Sequence, residues 1–160
     1  MRAQERVRIR PAKEEDLARI AEIEVFNFRL NFYPIFLEDS YYFDQLQVPH
    51  KMAAYLPELE KFWVYDDGVV KGFIRVEGTE LKKLYVEPVL QSGGIGAELL
   101  RYAVETLGID HLWALEKNTR AIAFYARHGF VPTDERVPEE DTEEYLVRLV
   151  RCAGCLTEVR

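Results

Sequence analysis

The 160-residue chain lacks several features that would assign it to a class at once. No apolar run approaches the roughly 20 residues that span a bilayer, so we expect no transmembrane helix. The first residues hold no apolar signal core, which makes the cytoplasm the expected location. Basic residues number 21 against 28 acidic ones, a formal net charge of -7. This balance argues against a nucleic-acid-binding protein, which needs a basic footprint.

Cysteine and metal-ligand clusters are also scarce. The two cysteines, Cys152 and Cys155, form a C-x-x-C pair near the C-terminus. One such pair cannot complete a tetrahedral zinc site, which takes four ligands. We expect a reduced tail, with a redox pair or a zinc site shared across a dimer as alternatives. Because the sequence also shows no Ser/His/Asp set and no metal-ligand cluster, we predict no metal site.

A glycine-rich loop is the most informative feature that is present. The segment 84–96, LYVEPVLQSGGIG, reads as an apolar strand, a proline break and a loop that opens a helix. Gly93, Gly94 and Gly96 have no Cβ, so an anion can approach the backbone N–H groups. The first N–H groups of a helix have no internal acceptor, and the helix dipole is positive there. The segment therefore predicts a binding site for a phosphate group.

Two common nucleotide-binding motifs are incomplete in this loop. A P-loop needs Gly-Lys-Ser/Thr, whereas Gly96 is followed by Ala97 and Glu98. A dinucleotide fingerprint needs G-x-G-x-x-G, and here the third glycine is missing. That fingerprint also begins at the first strand of a parallel sheet, whereas this loop follows a β-meander. Both nucleotide interpretations are therefore excluded.

Periodicity along the chain predicts one α/β (α+β) domain. Its sheet is expected to be mixed and mostly antiparallel, with one parallel join between 80–86 and 111–116, and flanked by helices. The strong hairpin turn Asp66-Asp67-Gly68 marks the meander. We predict strands at 6–10, 62–65, 69–77, 80–86, 111–116, 130–131 and 144–150. We predict helices at 14–28, 42–55 with an interruption near Pro49, 97–107 and 119–127, the last capped by Thr119.

Two motifs at compatible spacing carry a resemblance to a known family. The loop has the form Q-x-x-G-x-G from Gln91 to Gly96, after Leu84-Tyr85-Val86-x-Pro88. Downstream, the pattern N-x-x-A-x-x-F-Y-x-x-x-G-F runs from Asn118 to Phe130. These residues resemble the GCN5-related N-acetyltransferases (GNAT), which bind acetyl coenzyme A (acetyl-CoA). The resemblance implies a single GNAT-like domain over residues 1–151 and a C-terminal tail over 152–160.

The resemblance also implies where acetyl-CoA, the cosubstrate, would bind. Loop N–H groups from about Gln91 to Ala97 would hold the pyrophosphate, which suits their chemistry. The pantetheine arm would pair with the backbone of the strand before the loop, and the Asn118 amide would hold the pantetheine or the substrate. The predicted cofactor-binding residues are Leu84, Tyr85, Val86, Gln91, Ser92, Gly93, Gly94, Ile95, Gly96, Ala97 and Asn118.

Two residues are predicted to carry the chemistry, in which an amine attacks the thioester directly. A backbone N–H near Tyr85 or Val86 would stabilise the oxyanion. The family places a tyrosine near the coenzyme sulfur, which maps to Tyr125 as the acid for the thiolate. Glu80 lies eleven residues before Gln91, the spacing at which some family members carry their base glutamate, so the resemblance implies that it is the base for the amine, with a water relay as the alternative.

Other candidates for the base are weaker. Glu87 precedes Pro88 and lies nearer the opening of the coenzyme site, which makes it a less suitable base. Other family members carry a base glutamate where this chain has Trp113, so that version of the mechanism is not available here. We expect His111 and His128 to be structural or surface residues and His50 to be a minor base candidate.

The acceptor is predicted from the aromatic block 26–43. Most of these rings must be core, but we expect Phe28, Phe32, Tyr33 and Tyr41 to line an acceptor pocket. With the acids Glu38 and Asp39 they would suit a cationic amine of a small molecule or peptide. A non-catalytic CoA-sensing module and a protein N-terminal or lysine acetyltransferase stay open as alternatives. The resemblance also carries an expectation of a homodimer.

Overall fold

A computed structural model describes residues 8–152, and residues 1–7 and 153–160 lie outside the description. Within the described part, no helix is long and apolar enough to cross a membrane. The strands are β1 Ile9–Pro11, β2 Phe62–Asp66, β3 Val70–Glu77, β4 Glu80–Val86, β5 His111–Leu115, β6 Phe130–Pro138 and β7 Tyr145–Arg151. The α-helices are α1 Leu17–Asn31, α2 Tyr33–Phe36, α3 Val48–Tyr55, α4 Ile95–Glu105 and α5 Thr119–Arg127.

All seven strands form one sheet in the order β1-β2-β3-β4-β5-β7-β6. Every neighbouring pair is antiparallel except β4 and β5, which confirms the predicted mixed sheet with one parallel join. That parallel pair is short, since only Glu80 with His111 and Leu81 with Leu112 are in register. Beyond these residues the two strands separate.

Helices cover both faces of the sheet, as alternation along β3 shows. Ile74 and Val76 pack in the cluster that contains Leu99 and Ala103 of α4. Phe73, on the opposite face, packs in a second cluster with residues of α1 such as Ile20 and Ile23. Side chains of successive strand residues point to opposite faces, so both faces of β3 are apolar and both are covered.

Gly72 on β3 allows α4 to lie close to the sheet. A Cβ at this position would come within 3.0 Å of Leu99 Cδ1 and of the Tyr85 carbonyl oxygen, and within 3.4 Å of Ile95 Cγ2. Glycine is thus required where the first turn of α4 crosses β3. Because the glycine-rich loop leads into this turn, Gly72 also allows the end of the loop to lie close to the sheet.

The structure corrects several predicted boundaries. α1 continues to Asn31, and the predicted helix 42–55 is a π-helical turn, Tyr41–Gln45, followed by α3 after a break before Val48. β6 extends to Pro138 rather than ending at Val131. Thr119 is not the cap of α5; Asn118 is, because its side chain accepts a hydrogen bond from the Ala121 N–H at 3.2 Å. The first predicted strand begins at Ile9, and its start at residues 6–7 lies outside the described residues.

Candidate active site

The separation of β4 from β5 opens two cavities that share one wall. The larger cavity, of about 940 Å³, lies on the side of α1, α2 and the β6–β7 loop. The smaller cavity, of about 430 Å³, lies between the glycine-rich loop and α5. The residues that line both are Leu84, Tyr85, Asn118, Ala121 and Tyr125. A ligand in one cavity therefore meets a ligand in the other at β4 and Tyr125.

The glycine-rich loop forms a concave backbone surface at the smaller cavity. Ser92 and Gly94 both have positive φ angles, +70° and +89°, which turn the chain into α4. The first hydrogen bond of the helix runs from the Glu98 N–H to the Gly94 carbonyl, at 3.0 Å. The N–H groups of 95–97 consequently have no acceptor within the helix. An anion at this end would be bound by backbone donors and by the helix dipole.

Most of the predicted cofactor-binding residues come together at the smaller cavity. Its lining includes Leu84, Tyr85, Val86, Gln91, Ser92, Gly94, Gly96, Ala97 and Asn118. Gly93 and Ile95 do not line it, and the Ile95 side chain packs against the core instead. Any role of these two residues would therefore be through their backbone groups.

A buried asparagine anchors this loop, and the sequence analysis missed it. Asn27 of α1 is 1% exposed, and its side-chain amide donates to the carbonyls of Ile23 at 2.8 Å and Val86 at 2.9 Å. The Gln91 side chain in turn donates to Asn27 Oδ1 at 2.9 Å. Gln91 thus ties the loop to α1. A polar residue on the apolar face of α1, four positions after Ile23, was the available signal.

Three basic side chains of α5 and its C-terminal cap also line the smaller cavity: Arg120, Arg127 and His128. Arg120 and Arg127 are exposed, and guanidinium groups suit phosphate recognition. His128 Nδ1 lies 2.8 Å from the Phe124 carbonyl oxygen, and its ring lies 4.6 Å from the Phe124 ring. His128 was predicted to be structural or at the surface, and it combines packing with a place in the cavity wall.

Tyr125 stands in the wall common to both cavities. Its ring packs against Phe124 at 5.2 Å and Phe130 at 6.1 Å between centroids. Burial raises the pKa of its hydroxyl above the ordinary value for tyrosine. The side chain is therefore protonated at neutral pH and carries a hydroxyl hydrogen that a developing thiolate can accept, although the raised pKa makes the hydroxyl a weaker acid.

The two glutamates considered as bases have different surroundings. Glu80 lines the larger cavity, and its carboxylate lies 3.0 Å from Lys82 Nζ and 3.5 Å from His111 Nε2. Glu87 forms an ion pair with Arg19 at 3.1 Å and lines neither cavity. Glu80 remains the better-placed carboxylate.

The larger cavity is aromatic, with acidic residues among its lining. Phe28, Phe32, Tyr41 and Glu38 line it, whereas Tyr33 and Asp39 do not. Instead, the Tyr33 hydroxyl donates to Asp39 at 2.5 Å and its ring packs against Tyr42 and Phe43. Acids from the end of β6 and the following loop, which the sequence did not indicate, also line it: Glu139, Glu140 and Asp141.

Cys152, the described member of the C-x-x-C pair, lines neither cavity. Among residues 8–152 no group of three or more His, Cys, Asp or Glu side chains could hold a metal ion. Cys152 is disulfide-bonded in the structure, which differs from the reduced thiol expected from the sequence. Cys155 lies outside the described residues.

Comparisons with known proteins place this architecture in one family. Residues 58–132 match the family model of the acetyltransferase (GNAT) domain. The chain is 32% identical over 124 residues to the peptidyl-lysine N-acetyltransferase YiaC of Escherichia coli (strain K12), covering 76% of this chain and 82% of that protein. The chain belongs to the GNAT acetyltransferase family.

Solved structures agree with this fold. The PaiA N-acetyltransferase from Thermoplasma acidophilum, solved in complex with coenzyme A, has a TM-score of 0.64 at 21% identity, covering 89% of this chain and 97% of that one. YncA of Salmonella typhimurium, a putative acetyltransferase solved with acetyl-CoA, has a TM-score of 0.61 at 20% identity, covering 88% and 90%. As a member of this family, the chain is an acetyl-CoA-dependent N-acetyltransferase.

Proposed function

We propose that the two cavities divide the reaction between them. The smaller cavity binds acetyl-CoA, the larger one binds an acceptor with a primary amine, and transfer takes place where they meet at β4 and Tyr125. The observation that carries this proposal is the shared wall, because direct attack requires both reactants to reach one point.

The residues of the smaller cavity suit the chemistry of coenzyme A. Backbone N–H groups from Gln91 to Ala97 would bind the pyrophosphate, assisted by the exposed guanidinium groups of Arg120 and Arg127. The free edge of β4 beyond Leu81 would pair with the amide groups of the pantetheine, since β5 has separated from it there. Asn118 uses its side-chain oxygen to cap α5, which leaves its amide N–H groups for the pantetheine or the acceptor.

Proton transfer would be shared between two side chains. The amine nitrogen bonds to the acetyl carbonyl carbon, the C–S bond breaks, and Tyr125 gives its proton to the leaving thiolate. A backbone N–H of Tyr85 or Val86 would stabilise the oxyanion. Glu80, directly or through water, would take the proton lost by the amine, which has an ordinary pKa of roughly 10.4 for a lysine-like group.

The acceptor we propose is the amine of a peptidyl lysine or of a small molecule. YiaC is named for acetylating peptidyl lysine, and the larger cavity is roomy enough for a side chain carried on a peptide. Its aromatic wall and acidic lining suit an ammonium group before deprotonation. The cytoplasmic location, the homodimer and the domain limits 1–151 and 152–160 stay predictions.

An acceptor screen tests the proposed function. The purified protein is incubated with acetyl-CoA and a panel of small amines, amino acids, lysine peptides and peptide N-termini, and free coenzyme thiol is measured with a chromogenic reagent. Thiol release that depends on an amine supports the proposal, and mass spectrometry of the product identifies the acetylated nitrogen. Tight binding of acetyl-CoA by calorimetry without thiol release from any amine would favour a CoA-sensing module instead.

A further inference from the structure

A buried charged cluster lies beside the larger cavity. Glu24 of α1 has no exposed side-chain area, and its carboxylate lies 2.5 Å from Lys83 Nζ and 3.1 Å from Lys51 Nζ. The Tyr55 hydroxyl donates to the same carboxylate at 2.6 Å. Both ammonium groups also lie over the rings of Phe28 and Tyr55, at 5.3 to 5.6 Å from the ring centroids. Such a cluster holds its members in fixed positions.

The charges of this cluster do not balance. Lys51 and Lys83 carry two positive charges against the single negative charge of Glu24, and their side chains are only 22% and 21% exposed. Burial lowers the pKa of the Lys83 ammonium even though Glu24 opposes that change. Arg75, a further cation that acts on Lys83, is itself paired with Glu58 at 2.6 Å and Glu77 at 3.1 Å. One of these two partly buried positive charges is left without an anion within the cluster.

Only one of the two lysines lies at the cavity proposed for the acceptor. Lys83 lines the larger cavity, and Lys51 does not. Lys83 also precedes Tyr85 by two residues, so both side chains lie on the same face of β4, about 7 Å apart along the strand. Tyr85 packs against Phe28 of α1 at 5.7 Å between ring centroids, which confirms that this is the face towards α1. An acceptor whose amine reacts beside Tyr85 could therefore place an anionic group, a few bonds away in the same molecule, on Lys83.

We propose that Lys83 binds a carboxylate that the acceptor carries close to its reacting amine. This inference rests on the proposed function and narrows its substrate class to amino-acid-like acceptors or to peptides with a carboxylate beside the acetylated amine. Glu38 and Glu139 in the same cavity attract the ammonium end of such a molecule, and Lys83 holds the other end. A simple alkylamine leaves the charge of Lys83 uncompensated.

Matched acceptor pairs test this proposal. Amino acids with increasing distance between amine and carboxylate are compared with their amides, and lysine peptides with a neighbouring glutamate are compared with their glutamine counterparts. The first set represents free amino acids and the second represents peptides. We expect kcat/KM to be about 10-fold or more higher for the carboxylate member of at least one set, as an ion pair in a partly buried site allows.

Three variants separate recognition from structure. Lys83→Met is expected to abolish the preference for the carboxylate, chiefly through KM, and Lys83→Arg to restore part of it. Lys51→Met is the matched control, because it removes the other ammonium from Glu24 without changing the cavity lining. We expect Lys51→Met to keep the preference while changing the urea unfolding midpoint about as much as Lys83→Met does.

The outcomes are distinct. The inference is overturned, with acetyl transfer left intact, by any of three results. These are equal rates for carboxylate and amide acceptors in the parent protein, a preference for the carboxylate that survives in Lys83→Met, and a preference that is lost equally in Lys51→Met. If no amine releases thiol, the proposed function fails. Binding of glutarate, measured by saturation-transfer NMR, then decides whether Lys83 forms a carboxylate site. Binding that is lost in Lys83→Met and kept in Lys51→Met supports the carboxylate site, and absence of binding in the parent protein rejects it.

Discussion

The two cavities on either side of Tyr125 are built in different ways. The smaller one combines the continuous stretch 84–97 with residues of α1 and α5, and the anion donors of its loop are backbone N–H groups. The larger one is formed by side chains of α1, the π-helical turn, β4, β5 and the β6–β7 loop. Backbone groups are the same in every residue, whereas side chains change with each substitution. A fixed cosubstrate can therefore be combined with a variable acceptor on one scaffold.

The largest expected effect concerns Glu24 in the charged cluster beside the larger cavity. Glu24→Gln leaves Lys51 and Lys83 without their anion, so we expect the free energy of unfolding in urea to fall by about 4 kcal/mol at pH 7. Binding of acetyl-CoA by the folded protein should change little, because the smaller cavity does not include this cluster. A weaker Kd for acetyl-CoA together with unchanged stability would contradict this separation.

The Glu24 carboxylate should also make the stability of the protein depend on pH. Burial alone would raise the pKa of Glu24, but Lys83 and Lys51 outweigh it and hold the pKa below the ordinary 4.5. A depressed pKa in the folded state contributes stability above pH 4.5, and this contribution is lost as the pH falls below it. Urea unfolding at pH 7 and pH 4 should show a smaller pH effect in Glu24→Gln than in the parent protein. An equal pH effect in both would show that other carboxylates dominate.

The second effect concerns the shared wall. Tyr125→Phe removes the proposed proton donor, and we expect kcat to fall by about 300-fold, within the range of general acid catalysis. The matched control is Tyr102→Phe, because Tyr102 is also partly buried against the same core cluster but lines neither cavity. Steady-state kinetics with Kd for acetyl-CoA measured alongside would check this. Full turnover by Tyr125→Phe would remove Tyr125 as the acid.

The third effect tests the base on the acceptor side. Glu80→Gln is expected to lower kcat by about 100-fold at pH 7, with little change in Kd for acetyl-CoA. Glu38→Gln, which removes a carboxylate from the same cavity, should have a much smaller effect. Equal losses in both variants would indicate a general electrostatic contribution rather than proton transfer by Glu80.

The smallest effect tests the cosubstrate side. Gly94→Ala places a Cβ where φ is +89° with no atom within 4 Å, so its cost is conformational. We expect a Kd for acetyl-CoA about 10-fold weaker, equivalent to about 1.4 kcal/mol. Gly108→Ala, with φ of +72° and equally open space after the other end of α4, is the control and should leave Kd unchanged. Equal affinities for Gly94→Ala and the parent protein would contradict the role of the loop conformation.

The same contrast explains which features the sequence predicted. Strand alternation and the motif around Gln91–Gly96 are local, and they predicted the sheet, its parallel join and most of the loop residues that line the smaller cavity. The acceptor side depends on contacts between distant residues, such as Glu24 with Lys83, 59 positions apart. Asn118 was assigned to ligand binding, and its capping of α5 was missed because the adjacent Thr119 is also a favourable cap. Tyr33 was assigned to the pocket by composition, and only packing shows that its ring turns away.

The brief pairing of β4 with β5 has a mechanical consequence. Two residue pairs join these strands, whereas six join β3 to β4 and five join β5 to β7. Under tension applied through β1 and β7, the molecule would part along this weak seam into two blocks. A cosubstrate that contacts residues on both sides of this pairing would add interactions between the two blocks. The force needed to pull the blocks apart should therefore rise when acetyl-CoA binds and fall when coenzyme A leaves.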